Sequence, residues 1–385
     1  MGLGAKVGLA GASMRTVRRL FYVDIVSSVL FVGLAFLSLF FFIDFVDELG
    51  AVGQRGYTAM SAAVYTLLLV PGHIYELAPI AVLIGTIYAL SRLAQSSEFT
   101  ILRTGGLGPG RALGLLASLG LAFGALTFVV GDYIAPLAER QAAQWLASFK
   151  GGLRVGQSGA WLKDHLSTPE GERSYSINVG AASARSRLEA VRIFEFDAEG
   201  RLLRRIQAAS ARVADDATWT LTDVAITHWL RGPGDDGAQL QVRDEKLPTY
   251  AWRGSLSARV VASAVLPLST MSTIDLFRYI GHLADNEQAA QSQRIAFWKR
   301  AVYPFACLVM VGLALPYAYL HARAGGVSLM VFSGIMLGIG FVLLNNVAGH
   351  LGMLRNWTPW MVATAPSALF LLLSLAAFSW LVRYR

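Results

Sequence analysis

The chain has 385 residues, 55% of them apolar and only 15% charged, with a net charge of +8. Soluble domains spend about a quarter of their residues on charge, and here 39 of the 58 charges fall between Glu139 and Arg300. That distribution excludes one uniform soluble globule and equally a chain that is membrane throughout. One cysteine, Cys307, lies in an apolar run and excludes an internal disulfide framework and a Cys-rich metal site.

Residues 2–14 are rich in Gly and Ala and too weakly apolar for a signal sequence, so the first span is expected to act as an uncleaved anchor. A helix needs about 20 apolar residues to cross a bilayer core. Six stretches qualify: Leu20–Ile43, Ile74–Ser91, Leu113–Val130, Val302–Leu320, Val327–Val347 and Trp360–Val382. In the first, Asp24 follows Arg18 and Arg19 by a turn or so. A snorkelling or Arg-paired carboxylate is the simpler reading there, although an intramembrane acid raises the question of function by default. Its far end is crowded with Phe36, Phe40, Phe41, Phe42 and Phe45, which either face lipid or line an apolar cavity. Residues 57–70 are apolar but end at Pro71-Gly72, and are read as an interfacial helix or an extension of the second span. His73 and Glu76, three apart, form either a proton-handling pair or a structural one, with the structural role favoured. The run Arg92–Arg103, closed by Gly105-Gly106, is either a solvated connector or a short helix that docks apolar side chains around one acid, Glu98. Gly120-x-x-x-Gly124 and Gly334-x-x-x-Gly338 allow close helix approach, and Asn345 and Asn346 are suited to bridging helices.

From about Gly151 to Leu266 the pattern changes. Ser174–Val179, Ala190–Phe196, Leu203–Ala208, Trp219–Trp229 and Ala238–Val242 are predicted strands, with turns at residues 197–200, 215–216 and 232–237. No long helical pattern intervenes, which points to an antiparallel β domain. Ser272 and Asp275 form a helix N-cap pair ahead of a stripe of Ile274, Phe277, Ile280 and Leu283, predicting an amphipathic linker over 272–300.

Lys and Arg in the short connections orient the spans. Lys6, Arg15, Arg18, Arg19, Arg92, Arg103, Arg111, Arg323, Arg383 and Arg385 fall on one side, against Arg55 and Arg355 on the other. Both termini are therefore expected in the cytoplasm and the insert on the outer face. The positive charge is largely an orientation signal, and a nucleic-acid role falls away. The phosphate-loop, zinc-protease and nucleophile-elbow signatures are missing from the sequence, and the six histidines have no metal-ligand spacing. No catalytic residue, metal or cofactor is assigned to the chain.

Several stretches carry a resemblance. Tyr65-Thr66-Leu67-Leu68-Leu69-Val70-Pro71, Leu90-Ser91-Arg92-Leu93-Ala94 and Ser97-Glu98 are similar to the lipopolysaccharide export permeases LptF and LptG. So are Phe45-Val46-Asp47-Glu48-Leu49, Ala135-Pro136, Phe297-Trp298-Lys299-Arg300, Pro304 and Gly338-Ile339-Gly340-Phe341, in order along nearly the whole chain. The first and second spans resemble the LptG branch more than the LptF branch.

The resemblance implies an α-helical membrane protein with six transmembrane helices and an inserted antiparallel, jellyroll-like periplasmic β domain. Spans 1–3 would occupy 1–137, with a coupling helix at 91–104; the β domain 138–271; the linker 272–300; and spans 4–6 301–385. It implies a permease subunit of an ATP-driven exporter in the inner membrane of a Gram-negative bacterium, extracting lipopolysaccharide and passing it to a periplasmic bridge. Expected partners are an LptF-like permease, an LptB-like ATPase dimer that uses ATP and Mg, an LptC-like membrane protein and an LptA-like bridge. Arg92, Glu98, Phe99 and Arg103 would couple to the ATPase. Phe36, Phe40, Phe41, Phe45, Phe332 and Phe341 would line a lipid cavity formed by the first, second and fifth spans. The family can carry basic residues near the outer end of the first span. This chain has Asp44, Asp47 and Glu48 there, leaving Arg55, Lys299, Arg300 and Arg355 as candidates for lipid phosphate. The alternative is a non-transporting periplasmic scaffold or assembly protein anchored in the membrane, which has no need of a helix at 91–104.

Overall fold

In hydrocarbon a backbone N–H or C=O finds no water, so a spanning segment keeps its helical bonds wherever it can. The computed structural model shows this from the start of the chain. It describes residues 3–96, 108–150, 153–154, 160–168, 171–182, 187–214, 217–231, 240–256, 261, 270–285, 290–319 and 326–383. Helix α1 (Leu3–Leu49) runs without interruption, and α2 (Ala59–Gln95) continues through both Pro71 and Pro79. Residues 57–70 are thus largely an extension of the second span, and Pro71 does not end a helix. Pro79 leaves the Tyr75 carbonyl without its N–H partner, and the Tyr303 hydroxyl donates to the next carbonyl, that of Glu76, at 2.5 Å.

The third span takes the same course. Helix α3 (Pro109–Val129) passes through a π turn (Val130–Ile134) into α4 (Ala135–Lys150). The turn carries Gly131, where the Tyr75 ring fills the space a Cβ would need, and a buried Asp132. After the insert come α5 (Thr273–Asp285), α6 (Gln291–Ala314), a 3-10 turn (Leu315–Tyr319), α7 (Val327–Leu354) and α8 (Pro359–Arg383). Among the described residues, six helical stretches are long and apolar enough to cross a membrane: Phe21–Leu49, Ala59–Gln95, Gly110–Phe149, Gln291–Tyr319, Val327–Leu354 and Pro359–Trp380. They fall three before the β insert and three after it, as expected.

The chain divides into two compact units. The first comprises Met1–Asp47, Leu69–Ala135 and Arg294–Arg385, the second Glu48–Leu68 and Pro136–Gln293. In the first, Phe21, Ile25, Leu83, Ile87, Met310 and Phe341 belong to one buried cluster. Both small-residue pairs mark close helix contacts. A Cβ on Gly120 would lie 2.9 Å from Leu308 Cα, and one on Gly124 2.8 Å from the Pro304 carbonyl, so α3 meets α6 there. Gly334 and Gly338 likewise receive Ile87 and Ile80 of α2.

The second unit holds a sheet of β1 (Leu153–Arg154), β2 (Ala160–Thr168), β3 (Gly171–Ala182), β4 (Leu188–Phe196), β5 (Leu202–Val213), β6 (Thr218–Arg231) and β7 (Leu240–Arg253). From β2 to β7 each strand pairs antiparallel with the next, a meander, while β1 extends the same edge of β3 that β2 occupies. The sheet closes by curling. Tyr175 on β3 meets Trp252 on β7 with ring centroids 5.4 Å apart, and Trp252 meets Trp219 at 5.5 Å. Buried Asp164 on β2 accepts from the backbone N–H of Ser255, just past β7, at 2.8 Å and also from its hydroxyl. The apolar side lies within this curl.

The curl is built into the strands. Inward side chains alternate by two along each strand but step by three at one shared row. The steps are Leu188 to Val191, Ala208 to Ala211, Leu221 to Val224 and Leu247 to Tyr250. Because four strands slip together, the register survives on both sides of the row. Ala190 (φ 53°) and Asp223 (φ 55°) sit at the slip in left-handed geometry, with Pro248 at the same row of β7.

The five predicted strands fall within β3 to β7, except that Ala238 and Gln239 lie outside the described residues; β2 and most of β7 have no counterpart among them. Likewise outside the described residues are the turns at 215–216 and 232–237. The Ser272/Asp275 pair forms as expected: the Ser272 hydroxyl accepts from the Asp275 N–H at 3.2 Å and Asp275 accepts from the Ser272 N–H at 3.3 Å. The buried face of α5 differs from the predicted stripe. Leu276, Tyr279 and Leu283 are buried, whereas Ile274 and Phe277 are more than half exposed. A row spaced strictly by three walks around a helix of 3.6 residues per turn, and the i, i+3, i+7 face won.

Arg140 on α4 secures α5 by donating to Asp275 at 2.6 Å and to the Thr270 carbonyl at 2.8 Å. Burial acts to raise the Asp275 pKa, but the Arg140 guanidinium and the Ser272 hydroxyl and N–H outweigh it and hold it below the usual carboxylate range. A depressed folded pKa means the contribution is present above the unfolded value of about 4 and fades as pH falls through the folded value. For this partly exposed pair it should be about 1 kcal/mol or less. Hydrogen exchange, corrected for intrinsic rates, should therefore show α5 loosened below pH ~4 and equally by Asp275→Asn at neutral pH, without additivity. In the first unit, a Cβ on Gly85 would lie 2.5 Å from Val29 Cα on α1, whereas one on Gly340 meets nothing within 4 Å. Gly85→Ala should therefore cost about 1–3 kcal/mol by overpacking and lower the melting temperature in detergent, with Gly340→Ala neutral.

Candidate functional site

Two antiparallel helices that stay in contact present their side chains to one another in a fixed order. Between α1 and α2 the contacts fall in antiparallel order at Asp24, Val29, Gly33, Phe40 and Asp44. Arg92 Nη2 donates to Asp24 Oδ1 at 2.8 Å, with the Arg92 guanidinium also 6.0 Å from the Tyr88 ring centroid. Gly85 then lies against the Val29 backbone, and Gly33 faces Ala81. The Phe40 ring stands 5.3 Å from that of His73, whose Nε2 is 2.6 Å from Asp44 Oδ2. Tyr22 and Ser118 share a hydroxyl bond of 2.7 Å that ties α1 to α3 at the Asp24 end.

These contacts revise the pairing expected from sequence. Asp24 is Arg-paired, but through Arg92 rather than Arg18 or Arg19. At 100° per residue those two project well away from the face that Asp24 occupies, since only residues three and four apart adjoin on a helix. Arg92, expected on the ATPase-docking surface, turns its guanidinium onto α1. His73 reaches across to Asp44 rather than along its own helix to Glu76. Asp44, one of the three acids near the end of α1, therefore has His73 as its partner.

Among the expected cavity residues, Phe36, Phe40, Phe41 and Phe45 are half-buried along α1, and Phe41 stacks on Phe45 with centroids 6.2 Å apart. Phe332 on α7 is 57% exposed, suited to a wall. Phe341 is not: it is 1% exposed and packs against Phe370 of α8 at 5.3 Å, so it belongs to the core. The phosphate candidates also separate. Lys299 Nζ donates to the Asn345 carbonyl at 2.9 Å, over Gly349, where a side chain would collide with it. Lys299 thus fastens α6 to α7 through one of its three protons. Arg300, Glu76 and Asp132 all lie near enough to act electrostatically on the Tyr75 hydroxyl, a polar group of α2, α6 and the π turn not seen from sequence. Arg355 is an exposed residue at the C-terminal end of α7, and Arg55 an exposed turn residue with φ 48°. Glu98, Phe99 and Arg103, with the rest of 97–107, lie outside the described residues. Among the described residues no group of three or more His, Cys, Asp or Glu is placed to hold a metal ion.

Six spans tied by glycine contacts and interhelical polar bonds, interrupted by a curled sheet with an apolar core, define a multi-pass membrane protein with an inserted β domain. Residues 19–381 match the family described as lipopolysaccharide export system permease LptF/LptG. The chain belongs to that family. It is 27% identical to the lipopolysaccharide export system permease protein LptG of Escherichia coli K12 over 341 residues, 88% of this chain and 91% of that protein. It is 25% identical to LptG of Haemophilus influenzae over 338 residues, 86% and 89% of the two chains.

The two α7 phenylalanines give a direct check on their environments. Phe341→Ala should destabilise the protein by about 3–5 kcal/mol through the cavity it leaves, while Phe332→Ala should stay within about 0.5 kcal/mol. Thermal unfolding in detergent measures both.

Proposed function

We propose that the chain is the LptG-type permease subunit of an ATP-driven exporter that takes lipopolysaccharide from the inner membrane and passes it to a periplasmic bridge. The observation that carries this reading is the match of the whole architecture, spans and β insert alike, to LptF/LptG permeases over residues 19–381. The two LptG relatives named above favour the LptG branch.

Physics supports the division of labour. At ~0.8 kcal/mol per CH₂, exposing several acyl chains to water would cost on the order of tens of kcal/mol. The lipid must therefore move from bilayer to apolar wall to apolar lining. Exposed Phe31, Phe42 and Phe332 offer such a wall on α1 and α7, and the curled sheet holds a lining of Ile177, Ile193, Ile206 and Ile226. An LptF-like chain would complete the membrane cavity, an LptC-like protein and an LptA-like bridge would receive the lipid, and both termini would be cytoplasmic. ATP and Mg would be used by an LptB-like dimer docked on residues 91–104, with Glu98, Phe99 and Arg103 toward it. Arg55, Lys299, Arg300 and Arg355 are the cations available to lipid phosphate.

Purification of the chain from its own membranes, with associated proteins identified, tests this. A second six-span chain and an ATPase should accompany it, and Glu98→Lys should weaken ATPase retention by about thirtyfold or more, as for a charge reversed at an interface hot spot. Unchanged retention and ATP turnover in Glu98→Lys would overturn the docking assignment.

A further inference from the structure

The two polar contacts at the ends of the α1–α2 seam, Asp24–Arg92 and Asp44–His73, stand at a telling separation. Asp24 and Asp44 are 20 residues apart on α1, and Arg92 and His73 are 19 apart on α2. At 1.5 Å per residue both intervals come to roughly 30 Å, the thickness of a bilayer's hydrocarbon core. Charges are tolerated at that depth because water and headgroups begin there, so each pair sits where it can form without deep desolvation. Between them the seam is held by close packing, at Gly85 on Val29 and Gly33 near Ala81.

Helix α1 needs such fastening. Only 6% of its most apolar 18-residue window is buried, against 56% for the window in α6. Lipid tails are as apolar as leucine, so burial supplies little force between membrane helices, and polar ties and close contacts decide which helices travel together. The Asp24 pin has its own support: the Ser28 hydroxyl donates to the Asp24 carbonyl at 2.7 Å, and Tyr88 backs Arg92. Arg92 is also the basic residue in the last turn of α2, three residues before its final Gln95.

We infer that the Asp24–Arg92 and Asp44–His73 pairs pin α1 to α2 at both edges of the hydrocarbon core, so that the two helices move as one body and displacement at the end of α2 is delivered to α1. Asp24 and Arg92 are then positioning residues of the export cycle. This rests on the ATPase coupling proposed above, through the segment that follows α2, and goes beyond it by naming what carries the movement into the membrane.

The test uses the intact complex in proteoliposomes, measuring lipopolysaccharide extracted per ATP hydrolysed, with ATP turnover and retained ATPase alongside. Asp24→Arg should keep the ATPase and its turnover yet lower extraction per ATP by about three- to thirtyfold, the range for residues on a coupling route, and Arg92→Asp should lower extraction per ATP to the same extent. The double exchange Asp24→Arg/Arg92→Asp should recover to within about twofold, the usual limit of context dependence. Single variants with full extraction, or a double exchange as poor as the singles, would overturn the inference. A covalent pin separates rigid coupling from mere stability: Asp24→Cys/Arg92→Cys joined by a short bis-maleimide should restore extraction. Loss of extraction on crosslinking would mean that the helices part during the cycle and that the pair is not a fixed link. Failure of the unaltered complex to couple ATP to extraction would overturn the proposed function and this inference together, whereas defects confined to the variants bear on the pair alone.

Discussion

The absence of water in the bilayer core governs the course of this chain more than any single contact. An unpaired backbone group there costs several kcal/mol, so the cheapest response to an awkward residue is to distort the helix and continue. Helix α2 does this at Pro79, and the third span does it by widening one turn into a π turn at Val130–Ile134. Each distortion has found nearby company. The Tyr303 hydroxyl serves the Glu76 carbonyl, and the Tyr75 ring fills the space over Gly131.

The same constraint separates what could be read from the sequence from what could not. Span number and order depend on length and apolarity, which are local, and all six spans emerged. Pro71 misled because one proline removes a single backbone hydrogen bond, a loss that a helix of 37 residues extending well to both sides of it survives. The Ser272/Asp275 cap was legible because both partners lie within one turn. The face that α5 buries was not, because Leu276, Tyr279 and Leu283 were chosen by their surroundings and not by a stronger pattern than Ile274 and Phe277. Asp24 called for a cation, and sequence proximity pointed to Arg18 and Arg19. Only the antiparallel path of α1 and α2 brings Arg92, 68 residues away, to the same level.

In the β domain, the limits of sequence reading have a specific cause. Several predicted strand ends fall at or beside the shared slip in alternation. Ser174–Val179 stops before Gly180, Ala190–Phe196 begins on the slip, and Leu203–Ala208 ends just before Ala209, although β3, β4 and β5 all continue across it. A period-two pattern that changes phase looks like a strand that has ended. The strands beside the seam were hidden by their polar residues. Asp164 takes an inward position on β2 because Ser255 satisfies it, and β7 carries Asp244, Glu245, Lys246 and Pro248 in sequence. The simultaneous slip lets one meander fold over itself without losing register, which is why Tyr175 and Trp252 meet although three strands separate theirs.

Charge is scarce in the spans, and where its partners are known it joins helices. Asp24 meets Arg92, Asp44 meets His73, and Lys299 caps the Asn345 carbonyl. In water such contacts would contribute little, since exposed pairs are worth about 0–1 kcal/mol. Between membrane helices they matter more for specificity, because apolar surfaces there discriminate weakly among neighbours. Asp44, near the end of α1, follows the same rule. It meets His73 Nε2 at 2.6 Å and so serves the seam between α1 and α2. Asp44 and His73 are 29 residues apart, so this pairing, like that of Asp24, exists only because α1 and α2 run antiparallel.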